Sequence, residues 1–437
     1  MSIENIIRNH TATVGVIGLG YVGLPLVRAF HQAGFKTLGL DVDDRKVQAL
    51  RRGENYLQHL GTDFVKEMVA SGRFNATSDL SELGKPDAII VCVPTPLGKH
   101  LEPDLSYIEQ TTDAIAATLR PGQLIVLEST TYPGTTRLVM QPRLDARGLK
   151  CGSDYFLAFS PEREDPGRKD HQTQTIPKLV GGIDARSGEL AVMLYSQAIK
   201  KVIPVSSAEV AESAKLLENI YRAVNIALVN EMKVVLERMG IDIWEVVDAA
   251  STKPFGFQAF YPGPGLGGHC IPIDPYYLTW RAKEVGLPTR FIELAGEVNH
   301  NMPDYVVQRV ALALNQRSKS VNNARVLVLG LAYKPNIDDV RESPSFELIE
   351  KLTALGAKVD YNDPHVPRTH HMRHFGDLNM SSVELTAKSL ASYDCVLIAT
   401  HHAAYDWQMV ADHAQLIVDS RGVMRNVKVD PAKLVSA

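Results

Sequence analysis

Cys270 stands in a setting suited to nucleophilic chemistry, the run Gly267-Gly268-His269-Cys270-Ile271-Pro272-Ile273-Asp274-Pro275. The glycines keep side chains away from the thiol and leave it open to a ligand. Asp274 followed by Pro275 has the form of an N-cap and first turn, opening a helix through Glu284 that Gly286 stops. A helix N-terminus nearby favours the thiolate, which is the reactive form of cysteine. Two roles stay open for each residue. Cys270 is either a nucleophile or a buried, inert thiol, and Asp274 is either an acid working beside it or only the helix cap. Lys215, Asn219 and Arg222 form a second constellation, spaced i, i+4 and i+7 so that they share one helix face. Their neighbours Leu216, Leu217, Ile220, Tyr221 and Val224 are apolar. A polar stripe on a buried helix must face a site or pair internally, and a partly desolvated lysine there can move protons or bind an oxyanion. On a surface helix the same stripe simply faces water.

Gly18-Leu19-Gly20-Tyr21-Val22-Gly23 sits between a predicted strand and a predicted helix. The first glycine permits the tight turn, the second lets a pyrophosphate approach the backbone, and the third packs helix on strand. The helix N-terminus adds free N–H groups and a positive dipole end. Asp41 ends the next predicted strand, about 20 residues on, where an acid grips a ribose 2′-hydroxyl and repels a 2′-phosphate. The pattern therefore points to NAD rather than NADP. A second strand and turn, ARVLVLGLAYKP from residue 324, keeps only Gly330 of the glycine pattern but carries Lys334, Asp338, Asp339, Arg341 and Glu342. The cations suit a pyrophosphate, Arg341 with two oxygens at once, or else the turn is a salt-bridged loop. His370, His371 and His374 place two rings at i, i+4, and His401-His402 follow. Without an HExxH pattern or cysteine partners they are not read as a metal site.

The elements that must position these residues alternate. Strands are predicted over 13–19, 36–41, 88–93, 124–128 and 155–159, with amphipathic segments at 21–33 and 105–119 between them. That alternation predicts a parallel sheet with helices on both faces. Near Ser206 the texture changes. Ser206 and Glu209 form a capping-box pattern, Gly240 a stop, and neither Pro nor Gly intervenes, so one helix of roughly 50 Å is expected. A long, mostly apolar helix suits a dimer spine. After Ala324 a smaller α/β sheet is expected, with a helix over 345–355 and strands over 358–361, 394–400 and 416–419. The fold class is thus α/β, with two Rossmann-like, doubly wound domains joined by a helical part.

Composition narrows the class further. At about 150 residues per domain, 437 residues suggest two or three domains, and 45% hydrophobic with 22% charged residues excludes disorder, collagen and coiled coil. A net charge of −4 asks for no nucleic-acid partner, and four scattered cysteines without a C-x-x-C pair make no disulfide framework. With no span of about 18 apolar residues and no signal segment, a cytoplasmic enzyme without membrane attachment is expected.

Taken in order, the motifs resemble the UDP-sugar 6-dehydrogenase family, the UDP-glucose and UDP-N-acetylhexosamine dehydrogenases. They are GLGYVGLP at 18–25, VPTP at 93–96, EST at 128–130, SPE at 160–162, AKLLEN at 214–219, GPGLGGHCIPIDPYYL at 263–278 and GLAYKPNIDDVRESPS at 330–345. The resemblance implies oxidation of a sugar CH2OH to a carboxylate with two NAD at one site, the aldehyde never leaving. It makes Cys270 the nucleophile of a thiohemiacetal and then a thioester, Asp274 and Lys215 the water-activating and oxyanion-stabilising pair with Asn219 beside them, and Thr130 and Glu162 the groups that place water and hydrolyse the thioester. It puts NAD on Gly18, Gly20, Tyr21, Val22, Gly23, Asp41, Thr95 and Thr130. It puts the UDP-sugar on Glu162, Arg163, Lys215, Asn219, Arg222, Gly267, Lys334, Arg341 and Arg421. It also implies a homodimer through the helical middle, and the divisions 1–205 (NAD), 206–318 (helical, with the cysteine loop) and 319–437 (UDP-sugar).

Two departures bear on the substrate. UDP-glucose enzymes read as in PEFLREG, whereas this chain has Pro161-Glu162-Arg163-Glu164-Asp165-Pro166-Gly167, after Glu128-Ser129-Thr130-Thr131-Tyr132-Pro133-Gly134-Thr135-Thr136. Both strings look like the N-acetylhexosamine branch, most like bacterial UDP-N-acetyl-D-glucosamine 6-dehydrogenases of surface polysaccharide synthesis, with Arg163 placed to meet an acetamido group. The arginine that some family members lend across the dimer has no counterpart before Cys270, Lys253 being the nearest cation, so completion of the site by a second subunit stays open. The alternatives are the same chemistry on UDP-N-acetylmannosamine or UDP-glucose, a two-electron hydroxy-acid dehydrogenase, and a non-catalytic nucleotide-sugar sensor.

Overall fold

Eight short, largely apolar strands make the first sheet: β1 (Thr13–Ile17), β2 (Lys36–Leu40), β3 (Phe74–Thr77), β4 (Ala88–Val91), β5 (Leu124–Leu127), β6 (Phe156–Phe159), β7 (Lys178–Gly182) and β8 (Val202–Pro204). The structure, a computed structural model, describes residues 2–57, 61, 63–98, 100–163, 174–268, 270–369 and 378–437, and of Cys270 the backbone only. His370, His371, His374 and residues 164–167 lie outside the described residues. The chain divides into two units, one of Met1–Glu218 with Tyr276–Leu287, the other of Asn219–Pro275 with Pro288–Ala437.

In the first unit the strand order is β3-β2-β1-β4-β5-β6-β7-β8. The first six strands are parallel and have the doubly wound 3-2-1-4-5-6 order of dinucleotide-binding folds. Both faces are covered, so the strands read as continuous apolar runs rather than alternating ones. Leu124 and Val126 of β5 point into one core with Leu26, Phe30 and Leu190, while Ile125 and Leu127 point into the other with Ile108 and Ile115. β7 then runs antiparallel to β6. The sequence pattern revealed neither β7, β8 nor β3: β8 has only three residues, β3 carries Asn75 and Thr77, and β7 opens on Lys178 and closes on two glycines.

The second unit has five parallel strands, β9 (Arg325–Leu329), β10 (Lys358–Asn362), β11 (Cys395–Ile398), β12 (Ile417–Asp419) and β13 (Leu434–Ser436), in the order β10-β9-β11-β12-β13. This is the 2-1-3-4-5 doubly wound order, whose direction of winding reverses between β9 and β11. Val326 and Val328 face one core, Leu327 and Leu329 the other. Its helical part includes Ile243–Ser251, Arg290–His300 and Met302–Asn315.

One helix, Ala208–Arg238, runs for 31 residues. Ser207 rather than Ser206 caps it, accepting the Val210 N–H at 3.4 Å, and Glu209 pairs with Arg137 at 2.5 Å instead of closing a capping box. A second correction concerns Asp274. The helix starts at Cys270 and runs to Glu284, so Asp274 and Pro275 lie inside it. Pro272 falls in the first turn, where its missing N–H costs nothing, and Pro275 removes only one ladder donor. Asp274 is therefore no cap, and its buried carboxylate pairs with Asn219 instead.

Candidate active site

The glycine turn of the first unit is built as a dinucleotide cradle. Gly18 has φ +88°, and a Cβ there would lie 2.3 Å from the Cys92 carbonyl oxygen. A Cβ on Gly23 would lie 1.8 Å from the Gly18 oxygen, so helix and strand meet backbone to backbone. A Cβ on Gly20 would meet no atom of the described residues within 4 Å beyond its own chain neighbours, which leaves the space a pyrophosphate needs. The helix Gly23–Gln32 has no side-chain cap, and its positive dipole end faces the turn, which favours a phosphate. Tyr21 and Val22 pack partly buried against the core. Asp41, just past β2, is buried and accepts the Leu19 and Asp43 N–H groups, each at 2.9 Å, and Lys46 Nζ at 3.1 Å. The turn and the acid are thereby held together, and the set fits a bound NAD. Thr95 is buried, and its carbonyl takes the Tyr277 hydroxyl at 2.6 Å.

Where β5 and β6 end, Glu128 and Glu162 flank one lysine. Lys178 Nζ lies 2.6 Å from Glu128 Oε2 and 3.1 Å from Glu162 Oε2, and the Tyr195 hydroxyl donates to Glu128. Burial pushes Glu128 up to about 7 against the pull of Lys178. Thr130 is half-buried two residues beyond Glu128. Arg163 is bound at 2.6 Å to Glu218 and at 2.7 Å to the Pro177 carbonyl, so its guanidinium is largely committed within the protein. The motif strings include Glu128 without marking it, and Lys178 and Tyr195 escape them. The clue to Lys178 is a cation at the head of an otherwise apolar strand.

On the long helix the stripe does not simply face water: Lys215 and Asn219 are buried and Arg222 is half-buried. Lys215 is buried, and among the described residues its Nζ makes no hydrogen bond or ion pair. In the second unit Arg222 donates to Asn219 Oδ1, and Asn219 Nδ2 donates to Asp274 Oδ2, with both Asn219 and Asp274 buried. The relay draws together Arg222, Asn219 and Asp274, four residues along the helix that Cys270 opens. The same helical phase continues to Asn230, Lys233 and Glu237, which the short spacing pattern missed. Asn230 accepts the Gly263 N–H at 3.0 Å and donates to Asn299 at 2.9 Å, fixing the start of the glycine-rich loop.

That loop is filled rather than open. A Cβ on Gly267 would lie 2.4 Å from Tyr333 Cβ, and one on Gly268 2.9 Å from the Tyr333 ring. The Gly268 N–H donates to the Arg341 carbonyl at 2.9 Å. These two glycines admit a neighbouring turn, contrary to the expectation of a cleared space. Gly263 in turn makes room for Arg421, whose NH1 a Cβ would approach to 2.4 Å. Arg421 Nε donates to the Ala399 carbonyl at 2.7 Å, and burial, against Asp419, brings it down to about 10, so it remains a cation. Arg341 forks onto Asp339 at 2.7 Å, and Lys334 is half-buried after β9. Lys334 and Arg421 follow β9 and β12 at the carboxyl ends of the strands, where open α/β sheets bind ligands. His402 spends both nitrogens in the same unit. The Asn336 N–H donates to its Nδ1 at 2.9 Å, which leaves Nε2 to donate to Asp363 at 3.0 Å. Among the described residues, no group of three His, Cys, Asp or Glu could hold a metal ion.

Two doubly wound sheets and an NAD cradle define a dinucleotide-dependent oxidoreductase. Three family models of the UDP-glucose/GDP-mannose dehydrogenase family match in series, the NAD binding domain over 12–199, the central domain over 209–301 and the UDP binding domain over 327–426. The chain belongs to this family, and it is an NAD-dependent enzyme with a UDP-binding domain. It is 36% identical to protein CapL of Staphylococcus aureus, over 95% of each chain. It is 34% identical to the UDP-N-acetyl-D-glucosamine 6-dehydrogenase of Pseudomonas aeruginosa, over 95% of this chain and 96% of that one. The solved UDP-D-ManNAc dehydrogenase of Pyrococcus horikoshii superposes with a TM-score of 0.87 at 30% identity, over 97% of this chain and 98% of that one. No helix among the described residues is long and apolar enough to cross a membrane.

Proposed function

We propose that this enzyme oxidises the C6 hydroxymethyl of UDP-N-acetyl-D-glucosamine to the uronate in two steps, for bacterial surface polysaccharide synthesis. The observation that carries the reading is the relay Arg222–Asn219–Asp274, its last two members buried, which ends on the helix whose first residue is Cys270. A cysteine at a helix N-terminus is stabilised as thiolate, and an acid held within the same helix is placed to move a proton beside it. Bound NAD supplies the hydride acceptor.

Lys215, buried without a partner among the described residues, is the group for an oxyanion at C6. Asp274, steadied by Asn219, takes the hydroxyl proton. Cys270 adds to the aldehyde carbon, which restores the tetrahedral C–H that a second hydride transfer requires. Thr130 and Glu162 serve the water that releases the thioester. Lys334, Arg341 and Arg421 hold the UDP-sugar, with Gly267 lending backbone. The divisions 1–205, 206–318 and 319–437 belong to the same reading, as does a homodimer along the long helix.

The glucosamine epimer is favoured by the strings at 128–136 and 161–167, and the name of the Pseudomonas aeruginosa relative agrees with it. UDP-N-acetylmannosamine is the second reading, favoured by the Pyrococcus horikoshii structure. The test is NADH formed per limiting sugar with NAD in excess. Two per UDP-N-acetylglucosamine, with little from UDP-N-acetylmannosamine or UDP-glucose, is expected. Two from another of these sugars corrects the epimer alone, one from all points to a simple two-electron dehydrogenase, and none points to a sensor. Cys270→Ser should bind both ligands yet stall before the uronate, seen as loss of product by mass spectrometry. Full oxidation by that variant removes Cys270 from the chemistry.

A further inference from the structure

The antiparallel turn of β7 has a consequence at the ligand edge of the first sheet. Ala158 pairs with Gly182 and Phe159 with Gly181, so β7 begins where β5 and β6 end. Its first residue, Lys178, thus arrives between Glu128 and Glu162. The side chains of Lys178 and Glu128 are 4% and 0% exposed, and that of Glu162 is 14% exposed. Glu128 is anchored on its far side by the Tyr195 hydroxyl, and Glu162 Oε1 accepts the Arg163 N–H at 2.6 Å. Among the described residues, the charged or titratable groups near the trio include Cys92, whose thiol burial raises well above its ordinary range, and Arg163, which is paired with Glu218.

A buried ion pair is a poor stability device, since apolar groups of the same volume hold a core at least as well. Lys178 also reaches past Glu128 to a second, more exposed carboxylate, which a pair serving the core alone does not need. The trio is therefore better explained by what it does to the more exposed carboxylate. We propose that Lys178 is a positioning residue for Glu162, bridging it to the buried Glu128 so that the Glu162 carboxylate is fixed in place and kept ionised for the water-consuming step. This rests on the function proposed above. In that step the water oxygen bonds to the thioester carbon and one proton passes to Glu162. The C–S bond breaks with its electron pair returning to the Cys270 sulfur, and the new carboxylic acid loses its proton to solvent.

The bridge predicts shifts of opposite sign. Replacing Lys178 by Met removes the cation held between the two carboxylates, so Glu162 should titrate higher by about one pH unit or more. Replacing Glu128 by Gln gives Lys178 wholly to Glu162, which should titrate lower. Lys178→Arg keeps the charge and should stay near wild type. Carboxyl titrations of the full chain labelled with 13C at glutamate Cδ, with Glu162→Gln to assign the signal, read this without turnover. The pH profile for oxidation of the UDP-sugar C6 aldehyde should move in the same sense. Should Lys178→Met fail to fold, Glu128→Gln and the Glu128→Gln/Lys178→Met double variant give the same comparison, Glu162 titrating higher in the double. A wild type that makes no NADH from any UDP-sugar sinks the functional reading, while the titration still judges the bridge. Shifts of the same sign, no shift, or a shifted titration with an unmoved rate profile would overturn the proposal.

Discussion

Glu212 illustrates how strongly surroundings set the charge of a single carboxylate. It is fully buried on the long helix and accepts the Gly134 and Thr136 N–H groups at 2.6 and 3.0 Å and the Thr136 hydroxyl at 2.6 Å. Burial pushes it up to about 7 against those hydrogen bonds, from an ordinary 4.5. The folded state then holds the proton more tightly than the unfolded chain. Its contribution to stability is full below pH 4.5 and is lost as pH rises through about 7. The ceiling is about 3 kcal/mol at 1.36 kcal/mol per unit. Relative to Glu212→Gln, the wild type should lose about 1–3 kcal/mol between pH 5 and 7.5 in urea unfolding. Equal pH slopes for the two proteins would contradict the assignment. Residues whose roles are written in neighbouring letters were legible in the sequence, Gly18 and Gly23 among them. Glu128 and Lys178 were not, because they stand 50 residues apart and meet only through a strand reversal that no local spacing encodes.

Elements carry the next level of specification, and the three glycines of the NAD turn separate their roles cleanly. Gly18→Ala and Gly23→Ala force a Cβ into backbone oxygens at 2.3 and 1.8 Å, so both should lower the unfolding midpoint before any ligand is added. Gly20→Ala meets no atom of the described residues within 4 Å beyond its own chain neighbours, so its stability should hold while the KM for NAD rises. Thermal unfolding with and without NAD distinguishes the two patterns, and a Gly20→Ala protein with unaltered NAD affinity would refute the pyrophosphate role. Asp41→Asn keeps the shape of the acid that ends β2 but drops its charge. Discrimination against NADP, taken as the ratio of kcat/KM values, should then fall, and an unchanged ratio would remove the ribose assignment. The start of the helix at Cys270 was placed five residues late, at Pro275 instead of Cys270, for a physical reason. An Asp-Pro pair has the chemistry of a cap, but Pro272 in the first turn lets the helix start earlier, and Asn219 supplies Asp274 with a partner inside the fold.

At the scale of the whole molecule, both sheets use the same device past their second strand. Asp41 takes the Leu19 N–H in the first unit, and Asp363 takes the Leu331 and Ala332 N–H groups at 2.7 and 2.9 Å in the second. Each unit thus ties its ligand-edge turn to an acid, even though their strand orders differ. The long helix remains to be accounted for. At about 1.5 Å per residue its 31 residues extend about 46 Å. Leu217, Tyr221, Leu228, Met232 and Val235 recur on it at helical spacing and are all exposed, Leu217 by 68% and Leu228 by 54%. A contiguous apolar stripe of this length on a monomer is rare and marks a protein contact. A second copy of the same helix covers it in the proposed homodimer, because each stripe then meets its own complement. Light scattering should give twice the 48.1 kDa of one chain for the wild type. Leu228→Glu with Val235→Glu should bring the mass down to a single chain while NAD binding in the first unit persists, since neither residue belongs to that unit. A wild type with the mass of one chain would leave the stripe to some other protein and end the homodimer reading.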